Sequence, residues 1–145
     1  MSHVRTQIRN AVKVVLDAAL PTHTVYEGRR YAVNASELPV VDMRYLNENS
    51  DYGTMGNVLD REASLYIRVT QSASEATIDD LLDDDAVVIE EALSGNTLGG
   101  LAKFTALKQT NFTDNAEGDK TLAEVVLRFD IGYRTADDNV ATARA

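Results

Sequence analysis

An α+β fold is predicted here: a mostly antiparallel β-sheet of about five strands packed against an N-terminal helix and a second, acidic helix. Three observations predict it. Apolar residues recur at helical spacing in two places, residues 3 to 20 and 78 to 93. Five other stretches read as extended, two of them alternating between apolar and polar side chains. In chain order these make helix, three strands, helix, two strands, the pattern of a sheet with helices packed on it.

The first helix places Val4, Ile8, Val12, Val15, Leu16 and Ala19 on one stripe, with Ser2 as the expected N-cap and Pro21 as the stop. Arg5, Arg9 and Lys13 recur every four residues along one flank. Two readings are open for them: a solvated border of the buried stripe, or a docking flank for an acidic neighbour.

Extended segments follow at 24 to 33, 38 to 46 and 62 to 71. In the third, Ala63, Leu65, Ile67 and Val69 alternate with Ser64, Tyr66, Arg68 and Thr70, the mark of a half-buried antiparallel strand. Between the second and third, "NENSDYGTMGNVLDR" shows turn chemistry and no periodicity, so a loop of about fifteen residues is expected there, unusually long for a compact domain. It carries Tyr52, Met55, Val58 and Leu59, apolar groups that suit either a partner contact or packing back on the same domain.

The second helix, "TIDDLLDDDAVVIEEAL", is the richest in chemistry. Eight carboxylates lie between Glu75 and Glu91 with no lysine or arginine among them. Wound as a helix, Ile78, Leu81, Leu82, Ala86, Val88, Ile89, Ala92 and Leu93 share an arc, while Asp79, Asp80, Asp83, Asp84, Glu90 and Glu91 lie opposite. Solvation alone explains most of these acids. Asp85 projects into the apolar arc and Val87 into the acidic one, so either the helix bends there or both face a neighbour from another chain. Thr77 with Asp80 resembles a capping box, and acids in the first turn complement the helix dipole.

"SGNTLGG" closes this helix, and strands are expected at 102 to 112 and 121 to 134, joined by the turn-rich "TDNAEGDK". The last alternates Val125, Leu127, Phe129, Ile131 and Tyr133 against Glu124, Arg128 and Asp130. One domain over residues 1–135 is expected, with 136–145, small and polar, as a mobile tail.

The totals narrow the function. With 145 residues the chain can bury one core, and with no cysteine it can hold neither disulfides nor thiolate metal sites. No apolar run approaches the roughly 20 residues of a membrane span, and an N-terminus carrying Arg5, Arg9 and Lys13 among apolar residues is not a secretory signal, so synthesis and folding in the cytoplasm are expected. A formal charge of −9 argues against a duplex-binding surface, which needs cations to replace condensed counterions.

Chemistry is sparse. The acidic run lacks the glycine and flexible spacing of a calcium loop, and the two histidines, His3 and His23, are not spaced as zinc ligands. No glycine-rich phosphate loop is present, and no histidine in the second half can serve as base for a hydroxyl nucleophile. No catalytic, cofactor or metal residue is assigned. A weak divalent cation held between two chains by the clustered acids is the one ligand left open.

The succession "IRNAVKVVLDAAL", "VYEGRRYAV", "ELPVVDMRYLNE", "REASLYIRVTQ", "IDDLLDDDAVVIEEAL" and "LAEVVLRFDIGYRT" resembles the tail terminator of long-tailed, siphovirus-like phages, the lambda gene product U type. It spans residues 5 to about 135, with the stretch from Leu98 to Asp119 the hardest to align.

The resemblance implies a virion structural protein that forms a six-membered ring on the head-proximal end of the tail. There it stops polymerisation of the major tail tube protein and meets the head completion protein, while DNA passes through without sequence-specific binding. It implies no enzyme activity and no membrane. On this reading Arg5, Arg9 and Lys13, together with Asp79, Asp80, Asp83, Asp84 and Asp85, are candidates for the subunit or channel interface, and Tyr52, Met55, Val58 and Leu59 for contact with the tube. Another neck or tail-completion protein, or a cellular α+β binding domain, are the alternatives.

Overall fold

In a computed structural model of the chain, which describes residues 2–28, 38–53, 56–74, 76–117 and 120–144, two helices lie on one face of a five-stranded sheet. The elements are α1 (Val4–Ala19), β1 (Thr24–Glu27), β2 (Val40–Tyr52), β3 (Val58–Ala73), α2 (Ile78–Leu93), a 3-10 turn at Leu98–Gly100, β4 (Phe104–Glu117) and β5 (Lys120–Ala136). The sheet order is β1-β2-β3-β5-β4; β1 runs parallel to β2, and every other pair is antiparallel. The α+β class and the order of elements are as the sequence predicts.

α1 buries Val4, Ile8, Val12 and Leu16, spaced by four residues. It starts one residue later than expected: His3, not Ser2, is the N-cap, with its ring Nδ1 accepting the Arg5 amide at 3.0 Å. α2 runs unbroken, burying Ile78, Leu82, Asp85, Ala86, Ile89 and Leu93, while Leu81 stands partly exposed. The helix neither bends nor breaks at Asp85, one of the two readings that the sequence leaves open. Thr77 is the N-cap of α2 as expected, but its side chain makes no capping bond and instead meets the Ser74 hydroxyl at 2.9 Å.

The core is one layer between helices and sheet. Val41 and Met43 of β2, Ala63, Leu65, Ile67 and Val69 of β3, and Ala123 to Tyr133 of β5 at alternate positions all face the helices. Strands expected to stop short run on. The segment 47 to 60, read as a patternless loop, is instead a hairpin in which Asn47 to Tyr52 pair with Ser64 to Leu59. "TDNAEGDK" likewise continues β4 and β5, paired as far as Glu117 opposite Lys120. β1 spans only four residues of the segment expected at 24 to 33; residues 29–33 lie outside the described part.

The stretch after β5, expected to be mobile, is tied to the domain. Asp137 N–H donates to Asn57 carbonyl oxygen, Val140 carbonyl accepts from Val4 N–H at 2.9 Å, and Arg144 N–H donates to Arg134 carbonyl at 2.7 Å. Gln7 Nε2 reaches the Ala141 carbonyl at 2.7 Å. Gln7 of α1 thus takes up a backbone carbonyl that sequence alone leaves unaccounted for.

Candidate assembly surfaces

At one end of the helix-covered face, apolar packing gives way to a cluster of charges. Glu48, Arg61 and Tyr133 project from β2, β3 and β5 toward the N-terminus of α1. Glu48 accepts from Arg5 Nη1, from Arg61 Nη1 at 3.2 Å and from the Tyr133 hydroxyl. Arg61 also donates to Thr135 Oγ1 at 3.0 Å and lies 6.0 Å from the Tyr133 ring centroid, while His3 meets that ring edge-on. Burial, reinforced by Glu48, pushes the Tyr133 hydroxyl far above its ordinary pKa, so it serves as a donor throughout the physiological range. Two cations around one carboxylate fix the N-terminus of α1 on the sheet.

The basic flank of α1 is therefore partly engaged within its own chain. Arg5 pairs with Glu48, Arg9 lies 3.8 Å from Glu27, and Lys13 bonds Asp17 one turn on at 2.8 Å.

On α2, Asp79, Asp80, Asp83 and Asp84 are all exposed, and Val87 among them is half exposed. Asp85 does not share their face. It is buried, 3.1 Å from His23 Nε2 and 2.8 Å from Gln71 Nε2, both of the same chain. The polar residue in the apolar arc is thus answered by the turn after α1 and by β3. Asp79 and Asp83 also border a cleft with Leu82, Phe112, Thr113, Asp114 and Ala123, where the outer part of β4 passes the start of α2. Its walls are acidic and its floor apolar.

The tube-contact candidates lie at the tip of the β2–β3 hairpin. Tyr52 is 63% exposed, Leu59 half-buried and Val58 buried, while Met55 lies outside the described residues. Gly53 N–H donates to the Val58 carbonyl at 2.8 Å across the tip.

The helix-free face of the sheet carries a lattice of charges. Arg68 lies between Asp42 at 3.8 Å and Glu124 at 3.9 Å, and Arg134 bonds Asp60. Arg128 holds both oxygens of Asp130 at 3.1 Å, with Ser64 donating at 2.9 Å. Burial works to raise the Asp130 pKa, but those hydrogen bonds and the Arg128 charge outweigh it and hold the carboxyl below its usual range. At one corner the Phe104 ring lies over Gly132, its cross-strand partner, filling the space where a Cβ would stand.

Sequence reading passed over the Glu48 cluster and the His23–Asp85–Gln71 contact. The only signals for either were an acid in an apolar arc and a strand ending in tyrosine. Among the described residues, no helix is long and apolar enough to cross a membrane.

Comparison with known proteins bears on the chain as a whole. A chain from the virion of a native gene transfer agent (GTA) particle has a similar structure, with a TM-score of 0.50 at 19% identity over 90% of this chain and 92% of that one. At that identity the likeness speaks for the fold. No curated protein matches the sequence. The family described as phage minor tail protein U matches residues 3–133. The chain belongs to that family, and is a structural protein of phage tails.

Proposed function

We propose that the protein is the tail terminator of a long-tailed phage. It forms a ring, six-membered by the family resemblance, on the head-proximal end of the tail tube, stops the major tail tube protein from adding further, and offers its other face to the head completion protein. The observation that carries this reading is the family match across residues 3–133, nearly the whole chain.

The surfaces fit a subunit whose work is contact rather than chemistry. Asp79, Asp80, Asp83 and Asp84 form an exposed acidic face suited to a DNA channel, where phosphates meet no cation that would retain them, or to a neighbouring subunit. Arg5, Arg9 and Lys13 lie on the other helix and suit the complementary role in a head-to-tail ring. The tip of the β2–β3 hairpin, with Tyr52 exposed, is assigned to the tube. No cofactor is required.

The test is to add purified protein to growing tail tubes and image them by negative stain. Tubes of uniform length bearing a hollow cap at one end are expected; tubes that grow uncapped with the protein left free in solution reject the reading.

A further inference from the structure

Two residues of α2 break its helical pattern, and the chain itself answers one of them. Asp85 meets His23 and Gln71. Val87 points outward and is 50% exposed. Its neighbours one turn before and after are Asp83, Asp84, Glu90 and Glu91, so it forms an apolar knob inside a ring of four carboxylates. A lone exposed valine is ordinary. What singles this one out is its counterpart across the sheet.

On the helix-free face a hollow of about 200 Å³ is lined by Asp42, Arg44, Leu46, Tyr66, Arg68 and Val126. Leu46 sits at the register shift between Tyr45 and Asn47 and is 60% exposed. Carboxylates are present, yet the charge offered outward is positive. The Arg68 side chain is 41% exposed and that of Asp42 only 10%, and Arg128, beside the hollow, stands over Asp130 in the same way. Glu124, also within reach of Arg68, lies in the next row on this face, outside the hollow. A guanidinium carries five N–H donors, so one held by its own carboxylate keeps donors for another. The hollow thus sets a cationic rim around apolar groups, and the knob sets an anionic rim around one.

Knob and hollow stand at one height along the strands. The start of α2 borders Ala123 and Asp114, and Gly95, just past its end, donates to Thr105, which lies opposite Ile131. α2 therefore climbs along β5 from Ala123 to Ile131, and Val87, near its middle, stands level with Val126 to Arg128. In the hollow, Asp42, Arg68 and Val126 form one cross-strand row, and Arg44 and Tyr66 share the row of Arg128. The two also overlap sideways, since α2 packs on β3 and β5, which supply Tyr66, Arg68 and Val126.

We propose that Val87 and the acids around it, in one copy of this chain, seat in the hollow on the helix-free face of the next copy, so that helix layer packs on bare sheet around the ring. The proposal rests on the ring reading above, and moves the patch that answers α2 from the α1 flank, which shares a face with α2, to the other side of the sheet. A head-to-tail ring needs two different patches on opposite sides of the subunit. A rotation about an axis along the strands keeps height, so it brings this knob to this hollow without a shift. Opposite charges around an apolar centre then fix the register of the contact.

The chain contains no cysteine, so introduced thiols are the only ones present. Val87→Cys and Leu46→Cys both change exposed positions, and circular dichroism checks that each variant keeps its fold. Rings, from solution or from tube tips, are treated with a short bismaleimide and run on a denaturing gel. The double variant should give a ladder of covalent multimers up to the size of the ring, each single variant monomers only, and a mixture of the two single variants nothing beyond dimers. Val87→Glu, which brings a fifth carboxylate to the apolar centre, should abolish rings without unfolding the chain.

Rings of the double variant that give no ladder, crosslinking within a single variant, or Val87→Glu rings that form as readily as wild type overturn this contact and leave the ring reading standing. So do rings in which the Leu46→Cys thiol stays open to a bulky maleimide until duplex DNA is added, a result that gives the cationic face to DNA. Wild-type protein that is monomeric in solution and absent from tube tips overturns both.

Discussion

The same strands behave differently along their length. Where β3 and β5 pass beneath the helices, Leu65, Ile67, Val69, Val125, Leu127, Phe129 and Ile131 are fully buried, and the outward residues between them are polar apart from Val126. Where β2 extends beyond the helices and β4 passes the edge of α2, Asn49, Ser50, Asp51 and Tyr52 on one and residues 108 to 114 on the other are exposed. Backbone pairing holds those arms in register with little apolar cover. The sheathed half supplies stability and the bare half supplies surface, so damage to the two should appear in different measurements.

The largest expected separation is between two phenylalanines on neighbouring strands. Phe129 is 0% exposed and Phe112 is 60% exposed. Phe129→Ala should cost about 3–5 kcal/mol in urea unfolding, from lost transfer energy and the cavity left behind. Phe112→Ala should stay within about 0.5 kcal/mol of wild type yet weaken ring formation or tube capping. Equal losses of stability would mean that β4 is part of the core and break the comparison.

A closer pair lies two residues apart on α2. Asp83 is exposed, while Asp85 accepts from Gln71 and pairs with His23. Asp85→Ala should cost about 1–3 kcal/mol, because it strands the His23 imidazole, whose side chain is nearly buried, and the partly buried Gln71 amide. Asp83→Ala should change stability by less than about 0.5 kcal/mol. The two losses measured under one condition would show whether charge on this helix matters by position or merely by amount.

Gly132 offers a smaller contrast on the helix-free face. A Cβ there would come within 2.1 Å of the Phe104 ring, which is 43% exposed and free to swing outward. Gly132→Ala should therefore cost about 1 kcal/mol, and most of that should vanish in the Phe104→Ala background, a coupling that only direct contact gives. Additive losses would show that backbone rather than ring contact holds glycine at this position.

The division into halves also governs what the sequence disclosed. α1, α2, β3 and β5 were legible because each buries one face and so writes a period of 3.6 or 2 into its apolar residues. The distal arm of β2 writes none. After the register shift between Tyr45 and Asn47, its helix-side position falls to Glu48, and polar residues occupy both faces, so alternation disappears although the strand persists.

Contacts between charges were less legible still. Glu48 gathers partners 43, 13 and 85 residues away, and His23 lies far upstream of Asp85. The helical period exposed Asp85 as anomalous, but chain spacing carried no record of what would answer it. The surface acids were legible because solvation is local to each residue; which neighbour they meet is a property of the assembly.

Acid separates the halves by pH, with the smallest effect. His3 closes the sheathed half by accepting the Arg5 amide on Nδ1, which requires the ring to be neutral. Burial, then the charges of Arg5 and Arg61, lower its pKa below the ordinary 6.5. A group whose folded pKa is depressed binds protons more readily in the unfolded chain, so its stabilisation is complete above the unfolded value and is lost as pH falls toward the folded one. Asp130 on the open face has the same sign, but its reference is 3.8, so its contribution persists until far stronger acid. Urea unfolding at pH 7 and pH 5 should show wild type losing up to about 1 kcal/mol, the worth of one N-cap. His3→Ser, which can cap the helix without titrating, should flatten that difference, whereas Asp130→Asn should leave it unchanged and flatten only the loss below pH 4. An unaltered pH 7 to 5 difference in His3→Ser would mean that other groups supply it and that the cap bond is indifferent to the ring's charge.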